Sequence, residues 1–427
     1  MSKITINPKK VVGKIKPMHC VNNFPSMCNS FDESFAALKI PYSRCHDTYH
    51  LESHLVDIHV IFPNFDADEN DPNSYDFAFT DYWIKRLYDM GVETFYRLGE
   101  SIENFQALKP YYIIPPKDYA KWARICEHII LHYNYGWANG FEFNLKYWEI
   151  WNEPDNFPDI ADNQMWKGTF EEYMNFYEIT AKYLKNKFPD LKVGGYSSCG
   201  FYDIFEIKSP DQAKVTTRTS YFIDCAEAFL QRARDNNIPL DFFSWHSYSN
   251  VEGNTGFARY ARELLDKYGF VNTESNLNEW NPGIDLRGTL QDSSNILSNM
   301  LVLQNEPLDM LMYYDVRLHT TYCGIYNPVN YKPFKAYYSF MAFSQLYQIG
   351  EQVETIVGEE GVYSLSAFNG KDGVCVITNN CDEEKKIELV GVTAKQVDML
   401  TEEHDLSSGK VSNEITLKAF ESAVIKF

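Results

Sequence analysis

Positive charge is scarce in this chain of 427 residues. It has 39 Lys and Arg against 59 Asp and Glu, which leaves a formal net charge of -20 and a pI near 4.9. Phosphate binding draws its affinity from basic side chains that release condensed counterions. No Lys/Arg cluster of that kind occurs, which excludes nucleic acid and anionic lipid as expected partners. Long apolar runs are missing too. No stretch approaches the roughly 20 residues that span a bilayer, and the opening MSKITINPKK lacks the apolar core of a secretory signal. Paired cysteine motifs are absent: nine cysteines are scattered singly from Cys20 to Cys381, with neither C-x-x-C nor zinc-like spacing. Unpaired thiols and an intact Met1 predict a cytoplasmic protein without a membrane span or disulfide framework.

What is plentiful is apolar and aromatic. At 44% hydrophobic the chain can bury a large core, and 30 Tyr, 29 Phe and 8 Trp suit both core packing and stacking on flat ligand faces. From about residue 15 to 345, short β-like runs alternate with helix-like periods, the pattern of parallel βα units. KPMHCVNN, PYSRCHD, ETFYRLGE, YWEIWNE, LKVGGYS, DFFSWHSY, NTESNLNEWN and LDMLMYYDV read as eight strands. Between them lie amphipathic stretches, such as DYAKWARICEHIILHY with Tyr119, Ala123, Cys126, Ile130 and Tyr133 on one side. The expected fold is α/β, a (β/α)8 TIM barrel over residues 15–347. Beyond it, short alternating segments predict a small C-terminal antiparallel β-sandwich domain, residues 348–427, completed by residues 1–14.

Catalytic groups of such barrels sit at the C-terminal strand ends. The fourth run, YWEIWNE, and the seventh, NTESNLNEWN, bring Glu153 and Glu279 to that rim. Facing carboxylates suit glycosidic cleavage, in which one group protonates the leaving oxygen while the other attacks the anomeric carbon or activates water. Glu153 is expected to be the acid, because packing among Trp148, Trp151 and Pro154 would strip its hydration and favour the protonated form. Glu279 is then the nucleophile.

These residues also carry a resemblance. WEIWNEPD, with SRCHD at 43–47, DFFSWHSY at 241–248 and LNEWNPG at 277–283 in order, resembles glycoside hydrolase family 39 over nearly the whole chain. That family holds retaining β-xylosidases and α-L-iduronidases. The resemblance implies Glu153 as general acid/base, Glu279 as nucleophile, Asn152 on the sugar 2-hydroxyl, and His46, His246 and Tyr248 lining the pocket. Its implied substrate is a small oligosaccharide or glycoside, a terminal β-D-xyloside first. The chain departs from the family after the nucleophile, where Pro282 and Gly283 replace an aromatic often found in the xylosidases, and this leaves a β-galactoside, an arabinoside or a uronide open. Homo-oligomers are compatible with the family, and no cofactor is implied.

Other features have blander readings beside the functional one. A lone NEP is an ordinary turn, and His46 and His246 could be satisfied core histidines. No H-E-x-x-H spacing calls for a metal. Trp280 and Tyr314, at the ends of the last two strands, could stack on a sugar or pack in the core. Strand alternation puts Glu149 inside the barrel with Trp151 and Glu153, where its charge needs Arg44 or Arg97; the rival use for either arginine is a substrate carboxylate. GGYSSCG matches neither G-x-S-x-G nor a dinucleotide loop and reads as a tight strand end. A catalytically silent glycan-binding barrel and a transglycosidase are the alternatives to hydrolysis.

Overall fold

The computed structural model describes residues 2–26, 28–50, 53–102, 112–205, 216–318, 320 and 322–427. Eight parallel strands close into a barrel: β1 Cys20–Asn22, β2 Tyr42–Cys45, β3 Glu93–Leu98, β4 Tyr147–Ile150, β5 Lys192–Ser198, β6 Phe242–Ser247, β7 Glu274–Trp280 and β8 Met310–Tyr313. β8 pairs back onto β1. Every strand read from the sequence is present, all but β5 shorter than the run that marked it.

The helices between them begin and end where side chains satisfy free backbone groups. In Tyr119–Tyr135, Asp118 accepts from the Lys121 N–H and Gly136 closes the helix at φ 72°. Thr169 and Glu172 form a reciprocal capping box before Phe170–Lys187. The buried side of Tyr119–Tyr135 includes Ala123, Cys126, Ile130 and Tyr133, the stripe expected from the periodicity.

The barrel interior is layered. Cys20, Phe95, Tyr147, Phe242, Met310 and Met312 plug its floor, with the Phe95, Tyr147 and Phe242 rings at centroid distances of 5.1 to 5.6 Å. Above this apolar plug lies a polar layer of Arg44, Glu149, Ser197, Ser244 and Asn278, and the candidate site sits on top of it.

After the last barrel helix, Lys335–Ile349, the chain enters a nine-stranded sheet. Its opening segment Ser2–Lys14 lies antiparallel to Glu351–Val357 and parallel to Lys385–Val390. Ile4, Ile6, Val353, Ile377, Leu389 and Ile425 fill its own core, while Leu365, Val374, Val376 and Val424 pack against the barrel's helices.

Candidate active site

β4 leaves extended geometry just past its last paired residue. Trp151 has φ 73° and Glu153 φ 44°, both in the left-handed region, where a non-glycine residue costs about 1–3 kcal/mol unless its surroundings hold it. Trp151 is held by the outer aromatic core, with ring centroids 5.1 Å from Trp166 and 5.6 Å from Phe176, and its Nε1 donates to the Met165 carbonyl at 2.8 Å. Gly99 makes room for it: a Cβ there would stand 3.0 Å from the Trp151 ring and 3.1 Å from its Cα. Alternation therefore fails after Ile150. Trp151 turns outward, contrary to the sequence reading, and Asn152 and Glu153 reach the mouth together.

β7 achieves the same end with a bulge. Its register against β6 shifts between Leu277 and Glu279, and such an insertion re-aims side chains. Asn278 Nδ2 donates to Glu149 Oε1 at 2.6 Å, and Glu279 Oε1 accepts from the Tyr248 hydroxyl. Trp280 is carried outward, fully buried with its ring 5.8 Å from that of Tyr313. It is not available to a sugar, which corrects the expectation that it could stack on one. The aromatic at the opening is Tyr322, 44% exposed, with ring centroids 5.9 Å from Tyr248 and 5.4 Å from Tyr314. Burial and then the charges of Glu279 and Glu153 raise its phenol pKa. It lies in the loop after β8, where no sequence period marks it.

Arg44 joins the polar layer to the site. Its Nε donates to Glu149 Oε2 at 2.7 Å, Nη1 to Asn22 at 3.1 Å and Glu279 Oε2 at 3.3 Å, and Nη2 to Asn152 Oδ1 at 2.5 Å and Ser197 at 3.1 Å. A guanidinium has five N–H donors, and these contacts occupy them, leaving none for a substrate carboxylate. Arg97 does not pair with Glu149. It donates to Asp57 at 2.6 Å and to His46 Nδ1 at 3.1 Å. That second bond fixes the His46 proton on Nε2, and burial holds the ring neutral by driving its pKa well below the usual imidazole value.

His246, on β6, stands between the two glutamates. Nδ1 is 2.7 Å from Glu153 Oε1 and Nε2 is 3.6 Å from Glu279 Oε2. Glu153 Oε2 also accepts from Asn156 at 3.0 Å. Burial raises the Glu153 pKa, but the His246 hydrogen bond and charge, with Arg218 and Asn156, more than offset it, and the carboxyl lies below its ordinary range. Burial raises Glu279 too, and the Glu153 charge adds to this against His246, Arg44 and Tyr248, so it lies above that range. Burial lowers His246, but the Glu279 and Glu153 charges outweigh it and raise the imidazole. The expectation that tryptophans keep Glu153 protonated is thus overturned: Trp148 stacks on Tyr96 outside the barrel, and the Glu153 neighbours are polar.

The remaining candidates fall around this centre. The Tyr314 hydroxyl donates to Asp47 at 2.8 Å and accepts from Arg317 at 3.2 Å. Asp155, two residues beyond Glu153, is fully buried and pushed up to about 6 by burial and then by the Glu153 charge. Among the described residues, two trios bring one ligand atom each within 4.8 Å of one another, Glu153/His246/Glu279 and Asp57/His59/Glu100. In each trio the imidazole already bonds one of the glutamates, His246 to Glu153 at 2.7 Å and His59 to Glu100.

An eight-stranded parallel barrel with two glutamates meeting across strands four and seven is the construction of a glycosidase. The sequence pattern of glycosyl hydrolases family 39 matches residues 2–274, a stretch that contains Glu153 and stops just short of Glu279. The chain is 28% identical over 268 residues to a beta-xylosidase of Caldicellulosiruptor saccharolyticus, covering 58% of this chain and 46% of that protein. It is 31% identical over 157 residues to a beta-xylosidase of Geobacillus stearothermophilus, covering 36% and 25%. It therefore spans between a quarter and a half of the length of these curated relatives. The fold is similar to that of a glucosidase from Croceicoccus marinus, with a TM-score of 0.78 at 18% identity over 100% of this chain and 98% of that one. The chain belongs to glycosyl hydrolases family 39. Among the described residues, no helix is long and apolar enough to cross a membrane.

Proposed function

We propose that this protein is a retaining exo-glycosidase that removes a terminal sugar, a β-D-xyloside first, through a covalent glycosyl-enzyme. The observation that carries the reading is the spacing of the pair. An oxygen of Glu153 and one of Glu279 lie within 4.8 Å of each other, near the about 5 to 5.5 Å of direct attack and short of the about 6.5 to 9.5 Å that admits a water.

In the first step Glu153 protonates the glycosidic oxygen as its bond to the anomeric carbon breaks, and Glu279 attacks that carbon. In the second, Glu153 takes a proton from water, whose oxygen displaces Glu279. Asn152 has its carbonyl bound by Arg44, so its amide NH2 is the end that meets the 2-hydroxyl. His46 offers its Nε2–H, while Tyr248, Tyr314 and Tyr322 wall the pocket. Two carboxyls and water complete the reaction without a cofactor. The nine free thiols support a reducing, cytoplasmic setting.

The names of the two curated relatives support a xyloside. The saturated Arg44 speaks against a uronide. The test is aryl-alcohol release from β-xyloside, β-glucoside, β-galactoside, α-L-arabinoside, β-glucuronide and α-L-iduronide, with Glu279→Ala as control and NMR of the first anomer formed. Release by the wild type alone, with retained configuration, supports the proposal; an inverted product sinks the double displacement, and silence across the panel favours a binding protein.

A further inference from the structure

Both ring nitrogens of His246 are met by carboxylates, Nδ1 by Glu153 at 2.7 Å and Nε2 by Glu279 at 3.6 Å. Nε2 has no hydrogen-bond partner among the described residues, and the side chain is wholly buried, so neither nitrogen turns to water. A neutral imidazole carries one N–H. With both glutamates ionised, its other nitrogen would face a carboxylate with a lone pair, in a site where burial leaves charges poorly screened.

A proton on Glu279 turned toward Nε2 would remove that conflict, but the two Glu279 oxygens already accept from Arg44 Nη1 and from the Tyr248 hydroxyl, which leaves two arrangements. In one, an imidazolium lies between two carboxylates. In the other, Glu153 is protonated and donates to Nδ1 of a neutral ring, whose Nε2–H points to Glu279. Both contain the same number of protons and differ by one transfer across 2.7 Å.

The other charged and titratable groups facing this trio come from several elements. Arg44 on β2 reaches Glu279 and opposes a positive ring. His46, just past β2, is held neutral by burial. Tyr248, beyond β6, donates to Glu279, and Arg218 acts on Glu153 from the helix Thr216–Asp235. None of them bonds to a His246 nitrogen, which leaves the two glutamates as the only exchange partners of the ring among the described residues.

We propose that Glu153, His246 and Glu279 share a single proton, which His246 stores in the free site and passes to Glu153 when a glycoside enters. This deepens the proposed function and rests on Glu153 and Glu279 being its catalytic pair. In the transfer the Nδ1–H bond breaks, its electron pair stays on Nδ1, and the proton bonds to Glu153 Oε1. The glycosidic oxygen then takes that proton as its carbon–oxygen bond breaks and Glu279 attacks. In the second step the proton lost by water goes to Glu153 and back to Nδ1, which restores the starting state. His246 touches no reacting atom and is a positioning residue. Its storage role explains how a carboxyl held ionised in the free site can act as an acid.

The first test is nitrogen NMR of histidine-labelled, ligand-free protein, which does not depend on turnover and so separates this inference from the substrate reading. Both His246 ring nitrogens should be protonated at neutral pH and titrate above the usual imidazole value of about 6.5. Glu153→Gln should make the ring neutral under the same conditions, and phenyl 1-thio-β-D-xyloside should remove the Nδ1 proton in the wild type. A single neutral tautomer in the free wild type would overturn the proposal.

The second test is His246→Asn, whose amide can still donate to Glu153 but cannot carry a charge. The basic limb of kcat/KM should move to lower pH by about one unit or more, with greater loss for aryl glycosides of poor leaving groups than for dinitrophenyl ones. A uniform loss with the limb in place would show a merely structural role.

Discussion

Arg44 Nε donates to Glu149 Oε2 at 2.7 Å, and neither side chain is reached by solvent. Glu149 Oε1 accepts from Ser197, Ser244 and Asn278, each at 2.6 Å. A carboxylate this completely bonded fixes the guanidinium that in turn holds Asn152 and Glu279. The pair sits one layer below the chemistry and sets the position of both glutamate-bearing strand ends.

Glu149→Gln keeps the shape and leaves the buried Arg44 charge without its nearer counter-ion, with only Glu279 at 3.3 Å remaining. Removing one partner of a buried pair costs about 3–5 kcal/mol. Urea unfolding should show a loss of that order, with kcat falling as Asn152 and Glu279 lose their anchor. A variant with wild-type stability would contradict the role assigned to the pair.

Glu279→Ala should abolish turnover. Added azide should restore it and yield a glycosyl azide of inverted configuration, because the small anion attacks the face vacated by the carboxylate. Glu153→Ala should instead slow substrates in proportion to how poor their leaving group is. Azide products of the same configuration from both variants would contradict the division of roles.

The pH profile should be bell-shaped. Activity needs one proton on the Glu153–His246–Glu279 trio beyond the N–H of a neutral imidazole. A second proton silences Glu279, whose raised pKa sets the acid limb above the usual glutamate value of about 4.3. Loss of the shared proton sets the basic limb above about 6.5, following the raised His246. A basic limb below that value in kcat/KM measured against pH would contradict the assignment.

Asp292 caps the backbone of Gly288 on the helix Leu290–Leu303, but its Oδ1 is buried without a partner. Burial pushes its pKa from 3.8 to about 7. A carboxyl raised on folding contributes stability that is fully present below its unfolded value and is lost as pH rises through the folded one. Asp292→Asn should therefore raise the unfolding free energy by about 4 kcal/mol in mildly alkaline buffer, with little gain in acid. Denaturant melts at the two pH values decide it, and equal effects at both would remove ionisation as the cause.

Tyr322→Ala should raise KM about tenfold, the loss of one stacking face of about 1.4 kcal/mol. Tyr322→Phe should leave it near the wild-type value. An unchanged KM in the alanine variant would place the sugar away from this ring.

Much of this was legible in one chain. The eight strands are short apolar runs bounded by turn residues, and local periodicity carries that signal. Asn152, Glu153 and Glu279 stood out because NEP and NEW end such runs at the rim where a barrel places its chemistry. The sides taken by Trp151 and Trp280 were not legible, because a left-handed residue in one strand and a bulge in the other break the alternation on which any facing argument depends. Tyr322 was missed because it lies in a loop, where no repeating pattern constrains it.

The sequence by itself determined the barrel, the order of its strands and the two glutamates at strand ends, since each follows from neighbours close along the chain. Only the tertiary structure decided the charge state of the site. His246 meets Glu153 from 93 residues away, and Arg44 meets Glu149 across 105. Protonation depends on burial and on charges a few ångströms away in space, and chain closure alone brings those together.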